Sequence, residues 1–144
     1  MADLCPVCAV KHRSITADQC RDRKMTERTL QDRVVYRAKK YGWRVAHAGR
    51  GQVGASGAFI TPMSPGWPDL TCAKANYPIL FIELKREQGV IEPEQREWLD
   101  LLNRTGNQAV VIRPSNLRGG YVDILFSRSP ADAGSNEPIQ QRES

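Results

Sequence analysis

The segment Ile79-Leu80-Phe81-Ile82-Glu83-Leu84-Lys85 reads as an apolar strand carrying a carboxylate and an ammonium two residues apart, so both side chains leave one face. Ionisable groups are expensive in such a strand unless something partners them. A second strand-like run, Pro68 to Ala73, precedes it across the turn-like Lys74-Ala75-Asn76-Tyr77-Pro78. A hairpin turning at Asn76 sets Asp69 opposite Glu83, close enough for two carboxylates to share one cation. Strand-end carboxylates are often simply solvated, but two acids and Lys85 converging on one spot favour a site. With the backbone carbonyl of Leu84 and waters, the pair forms the oxygen shell that Mg²⁺ or Mn²⁺ prefers. Such an ion stabilises charge developing on a phosphate and lowers the pKa of a bound water. Lys85 beside that water completes a set suited to phosphodiester hydrolysis.

A second candidate metal set lies at the N-terminus. Three of the four cysteines, Cys5, Cys8 and Cys20, fall within the first twenty residues; the fourth is Cys72. Cys5-Pro-Val-Cys8 has the C-x-x-C knuckle spacing, and His12 and Cys20 complete a four-ligand set for zinc. The gap from His12 to Cys20 is not a standard finger spacing, so a basic arm without metal is the competing reading. Cys72, between Thr71 and Ala73, reads as a small buried hydrophobe.

These groups need elements to position them. Thr26 is an N-cap signal, Leu30, Val34, Ala38 and Tyr41 recur at helical spacing, and Gly42 suits the C′ position. Trp43 to His47 reads as a strand, followed by a Gly- and Ser-rich loop from Gly49 to Gly66. After the hairpin, Pro93 opens a helix to about Asn103 whose face carries Gln95, Trp98, Leu99 and Leu102. Ala109 to Arg113 is a fourth strand, and Tyr121 to Phe126 is an apolar segment of undecided type. The resulting order is α-β-β-β-α-β, an α/β (α+β) fold with a mixed central sheet. The chain divides into a Cys-bearing segment 1–24, a domain over 25–126, and a tail over 127–144 read as disordered.

At 144 residues the chain has room for one domain plus short appendages. It has no apolar run near the roughly 20 residues that span a bilayer, and no secretion-signal pattern opens it, so a cytoplasmic location is expected. Charge is uneven. Residues 1–50 hold 12 Lys and Arg against 5 Asp and Glu, within a net charge of +5 for the whole chain. A basic first third suits a polyanion such as DNA, with a solvated basic helix as the plainer alternative. Arg33, Arg37, Lys40, His47 and Arg50 are the candidate DNA contacts, and Thr61 is a further phosphate candidate. For His47 a hydrogen-bonded structural role stays equally open. Trp43, Trp67 and Trp98 read as packing residues.

Gly66-Trp67-Pro68-Asp69-Leu70, then Glu83-Leu84-Lys85, then Gln95 and Trp98, resembles the PD-(D/E)XK nuclease superfamily. Within it the pattern is similar to the VRR-NUC (virus-type replication-repair nuclease) family, especially small stand-alone phage and bacterial members. The resemblance runs from about Thr26 to Ser115. It implies a restriction-endonuclease-like core and a metal-dependent DNA endonuclease, with structure-specific cutting in replication or repair as one form. It further implies Asp69 and Glu83 as metal-binding acids, Lys85 as the catalytic lysine, Glu27 as the helix glutamate near the metal, and Gln95 as the glutamine facing the site. The plainer readings are a helix-dipole role for Glu27 and a solvent-facing one for Gln95. A non-catalytic DNA-binding module with the same fold, and an RNA-directed nuclease, are the alternatives. One active site per chain means that cutting both strands needs a homodimer or sequential nicking.

Overall fold

In the computed structural model, residues 4–48 and 64–133 are described. The candidates Arg50 and Thr61, and most of the expected loop from Gly49 to Gly66, lie outside them.

Helix α1 spans Ala17–Lys24 and α2 Glu27–Lys40. Thr26 caps α2, its Oγ1 accepting from the Thr29 N–H at 3.2 Å. Leu30, Val34 and Ala38 form a stripe with no exposure, as their four-residue spacing requires. The helix ends where Gly42, at φ 85°, lets the Trp43 N–H return to the Ala38 carbonyl at 3.0 Å.

Strands β1 (Arg44–His47), β2 (Leu70–Ala73), β3 (Leu80–Leu84) and β4 (Gln108–Ile112) lie in that order in one sheet. β1–β2 and β2–β3 pair antiparallel and β3–β4 pair parallel, giving the mixed sheet. Leu70 opposes Ile82, Thr71 opposes Phe81 and Cys72 opposes Leu80, the register a turn at Asn76 demands. Asn76 itself sits at φ 70°, a left-handed position that Asn tolerates. Helix α3 (Pro93–Arg104) provides the crossover between β3 and β4.

The sheet is covered on both faces, which is why β3 is buried along its whole length. Leu80, Ile82 and Leu84 pack with α2 and with α4 (Pro114–Arg118) and α5 (Tyr121–Ser127) in the larger core. Phe81 turns the other way, into a smaller core with Leu99 and Leu102 of α3. Pro114 opens α4, and the undecided Tyr121–Phe126 segment is the helix α5. Val122, Leu125 and Phe126 are its buried positions; a helix of seven residues is too short for periodicity to separate it from a strand.

One boundary requires correction. The disorder expected from Ser127 does not hold through Ala133: α5 includes Ser127, and α6 (Pro130–Ala133) buries Ala133, while residues 134–144 lie outside the described ones. The Tyr77 hydroxyl donates to the Arg128 carbonyl at 2.9 Å, and the Asp132 N–H donates to Ser129 Oγ at 3.3 Å. Polar composition hid a short capped turn, Ser129 followed by Pro130, that buries Ala133.

Candidate active site

The alternation of β3 decides the site. Glu83 shares the α3-facing side with Phe81, and the β2–β3 register places Asp69 directly across from it. Glu83 is only 2% exposed. The Asp69 carboxylate also anchors backbone: Oδ2 accepts the Leu84 N–H at 2.8 Å. Lys85, one residue beyond the strand, brings its Nζ to 3.6 Å from Glu83 Oε1.

Gln95 is held at both ends of its amide. Its Oε1 accepts the Glu92 N–H at 2.9 Å, closing the first turn of α3, and its Nε2 donates to Glu83 Oε1 at 2.7 Å. The capping bond therefore orients the side chain so that an N–H, and not the amide oxygen, meets the carboxylate. Gln95 is thus not a solvent-facing helix residue. Both Gln95 and Lys85 address the same oxygen of Glu83.

Burial raises the Glu83 carboxyl to about 7; the facing Asp69 charge adds to the rise, Lys85 opposes it, and Glu27 raises it slightly. Glu27, first residue of α2, lies with Arg28, Gln31, Asp32, Asp69 and Leu84 around a cleft of about 380 Å³. Glu27 and Asp32 of the one helix α2 and Asp69 beside β2 thus border one opening, and Glu83 of β3 faces Asp69. Carboxylate oxygens are the donors a hard divalent cation takes, and the Leu84 carbonyl could serve as a neutral one.

Two further residues shape the site from behind. Gly66, at φ 82°, lies so close to α3 that a β-carbon there would stand 2.6 Å from the Glu94 carbonyl carbon and 2.8 Å from the Gln95 nitrogen. The glycine permits Pro68-Asp69 and Gln95 to approach from different elements. Gly66→Ala is expected to cost at least about 1–2 kcal/mol from the left-handed backbone alone, more as α3 is pushed aside. A urea midpoint that does not fall in this variant would show that the approach is not needed. Arg113 went unnoticed in the sequence: its Nη1 donates to the carbonyls of Arg86, Glu87 and Gly89 at 2.8, 3.3 and 2.7 Å. It clamps the loop that follows Lys85. A lone arginine after a strand carries no sequence signal for such a role.

The basic candidates divide. Arg28, not among them, borders the cleft. Arg33 and Arg37, one turn apart on α2, lie on another flank, where Arg37 Nε donates to Asp123 Oδ2 of α5 at 3.4 Å. Lys40 stands with its Nζ 5.5 Å from the centre of the Tyr41 ring. His47 is exposed on the edge strand, just before Ala48, whose N–H donates to the Asp69 carbonyl at 2.9 Å. The tryptophans pack as expected: Trp43 donates to the Phe126 carbonyl, and Trp67 lies edge-on to Phe81 and Trp98. Cys72 is fully buried, its thiol pushed up to about 12 by burial, which makes it inert.

The N-terminal candidates do converge. One ligand atom from each of Cys5, Cys8, His12 and Cys20 lies within 4.8 Å of the others, a group that could bind zinc.

No helix of the described residues is long and apolar enough to cross a membrane. No curated protein and no solved structure matches the chain. A family match does cover the site, apart from Glu27: residues 60–116, which supply Asp69, Glu83, Lys85 and Gln95, match the VRR-NUC domain, a nuclease-type domain and the one whose pattern the sequence resembles.

Proposed function

We propose that this protein is a divalent-metal-dependent endonuclease that hydrolyses DNA phosphodiester bonds. The observation that carries the reading is the buried Glu83 carboxylate, set opposite Asp69 and contacted on a single oxygen by both Gln95 and Lys85. A merely structural glutamate at this depth is better replaced by an apolar residue.

Asp69, Glu83 and the Leu84 carbonyl would hold Mg²⁺ or Mn²⁺, with Glu27 close by. When bound, the ion supplies charge neutralisation at the phosphate and a more acidic water. The chain's own groups supply the rest. Gln95 and Lys85 hold Glu83 by Oε1, which leaves Oε2 for a cation. Asp69 is kept in place by the Leu84 N–H, so the acid pair is preorganised by backbone as well as by side chains. The Lys85 ammonium offers a positive charge and a proton donor beside the acids, placed to orient water or to stabilise the phosphorane-like charge. The complete Glu27, Asp69, Glu83, Lys85 and Gln95 set argues against the non-catalytic DNA-binding module.

The test is a cleavage panel of single-stranded, duplex, flapped and four-way DNA, with RNA as a further arm, in Mg²⁺, Mn²⁺ or EDTA. Metal-dependent internal cleavage of at least one DNA supports the reading, and excess Mg²⁺ should restore what EDTA removes. No cleavage of any DNA would return the protein to the binding module, and cleavage of RNA alone would reassign its substrate.

The raised Glu83 carboxyl gives the reaction a pH signature. Below about 7 the folded carboxyl holds a proton that a cation must displace. Affinity for Mn²⁺ should therefore weaken as pH falls from 8 to 6, with proton uptake into the buffer measurable by calorimetry in buffers of different ionisation enthalpy. Affinity unchanged over that range would remove Glu83 from the ligand set.

A further inference from the structure

We propose that Cys5, Cys8, His12 and Cys20 hold one structural zinc ion that replaces a hydrophobic core in residues 4–24 and fixes α1 against the nuclease-type domain.

The segment has little else to fold around. Helix α1 reads Ala-Asp-Gln-Cys-Arg-Asp-Arg-Lys, and its buried residues are Cys20 and Asp22, neither an aliphatic side chain. Eight residues of such polarity do not form a stable helix unaided. A capping box closes its start, where Thr16 Oγ1 accepts the Gln19 N–H and Gln19 Oε1 accepts the Thr16 N–H. Caps contribute only about 1 kcal/mol.

The backbone is bent to bring the ligands together. The Cys5 N–H donates to the Val10 carbonyl at 3.0 Å and the Ala9 N–H to the Cys5 carbonyl at 2.8 Å. Ala9 is held at φ 57°, a left-handed conformation that an alanine adopts only when its surroundings enforce it. The result is a tight knuckle with both sulfurs on one side. Cys8 Sγ lies 3.0 Å from His12 Nε2, and Cys20 arrives from α1. Zn–S bonds of about 2.3 Å space tetrahedral sulfurs about 3.8 Å apart, so a group already within 4.8 Å closes on the ion with small movements. All three cysteines are free thiols and none is exposed.

The cluster is tied to the domain beside it. Asp22, two residues after Cys20 and 5% exposed, accepts from Arg118 of α4 through Nε at 3.1 Å and Nη2 at 2.7 Å. Only Met25 and Thr26 separate α1 from Glu27 at the cleft. The ion thereby sets where α2 begins.

The full chain purified without chelator should contain about one zinc per chain by elemental analysis. Cobalt exchanged into the site should give the intense visible bands of a tetrahedral ion and a near-ultraviolet thiolate charge-transfer band. The Cys5→Ser, Cys8→Ser double variant should lose the zinc, while Asp69→Asn keeps it, which separates this ion from any cation at the acid pair. Trypsin should leave α1 intact in the zinc-loaded chain, and after chelation should cleave at Arg21, Arg23 and Lys24. Arg118→Ala should keep the zinc but lose that protection. Zinc absent from the wild-type chain, octahedral cobalt without the thiolate band, or zinc retained by the double cysteine variant would each overturn the proposal.

Discussion

Glu83→Gln should abolish cleavage and, in the same protein, stabilise the fold at neutral and alkaline pH in the absence of added Mg²⁺ or Mn²⁺. The two effects share one cause. Burial and the facing Asp69 charge disfavour the Glu83 carboxylate, so its folded pKa is raised to about 7. For a raised acid, the stability it contributes is complete below its unfolded pKa near 4.3 and is lost as pH climbs through the folded value. An amide of the same size carries no such penalty. The Tm of the wild-type chain without added divalent ion should therefore fall relative to Glu83→Gln between pH 5 and pH 8. Catalysis moves the other way, because an amide is a poor ligand for a hard cation. Losing one preorganised electrostatic element costs about 10²–10³ in rate, and loss of an anionic ligand to the metal at least that. Asp69→Asn should lose activity to a similar degree while keeping its fold, since an amide oxygen still accepts the Leu84 N–H. Near-wild-type cleavage in either variant would mean that the reaction is carried elsewhere.

Lys85→Met should remove turnover while leaving DNA affinity within about threefold. Methionine keeps most of the length and apolar stem of a side chain that is only 13% exposed, so packing is preserved. What disappears is an ammonium 3.6 Å from Glu83 Oε1. A proton-transferring or charge-stabilising group of this kind contributes about 10²–10⁴ in rate, whereas a single phosphate contact contributes little to a multi-contact polyanion interface. The pH–rate profile provides a second readout. Lys85 lowers the Glu83 pKa, so its loss should displace the acid limb of the residual activity to higher pH. Affinity falling as steeply as rate, with the acid limb unmoved, would make Lys85 a DNA contact and not part of the chemistry.

Much of this arrangement was legible in one dimension because the rules involved are local. A period of two puts Glu83 and Lys85 on one face, and a turn at Asn76 puts Asp69 across from Glu83; both follow from pleat geometry. The stripe Leu30, Val34, Ala38 and the Thr26 cap needed only helical spacing. The pairing of Cys5 with Cys8 needed only the knuckle spacing. Where the order of elements was missed, at Pro114–Arg118 and Pro130–Ala133, the segments are too short for periodicity; Leu117 joins the larger core and Ala133 is buried, contacts that no local pattern records.

Tertiary structure alone decided which polar groups meet. Gln95 lies twelve residues from Glu83, and only the β3–α3 packing, with the Glu92 N–H holding the amide oxygen, aims its N–H at that carboxylate. Gly66 could be quoted from a motif, but its reason, the α3 backbone 2.6 Å from any β-carbon, exists only in three dimensions. Arg37 counts as basic charge in the sequence, yet the flank it occupies hands it to Asp123, eighty-six residues away, while Arg28 borders the cleft. Composition records how much charge a chain carries. Which charge is desolvated, paired or left for a substrate depends on contacts between residues remote in sequence, and those form only when the layers close on the sheet.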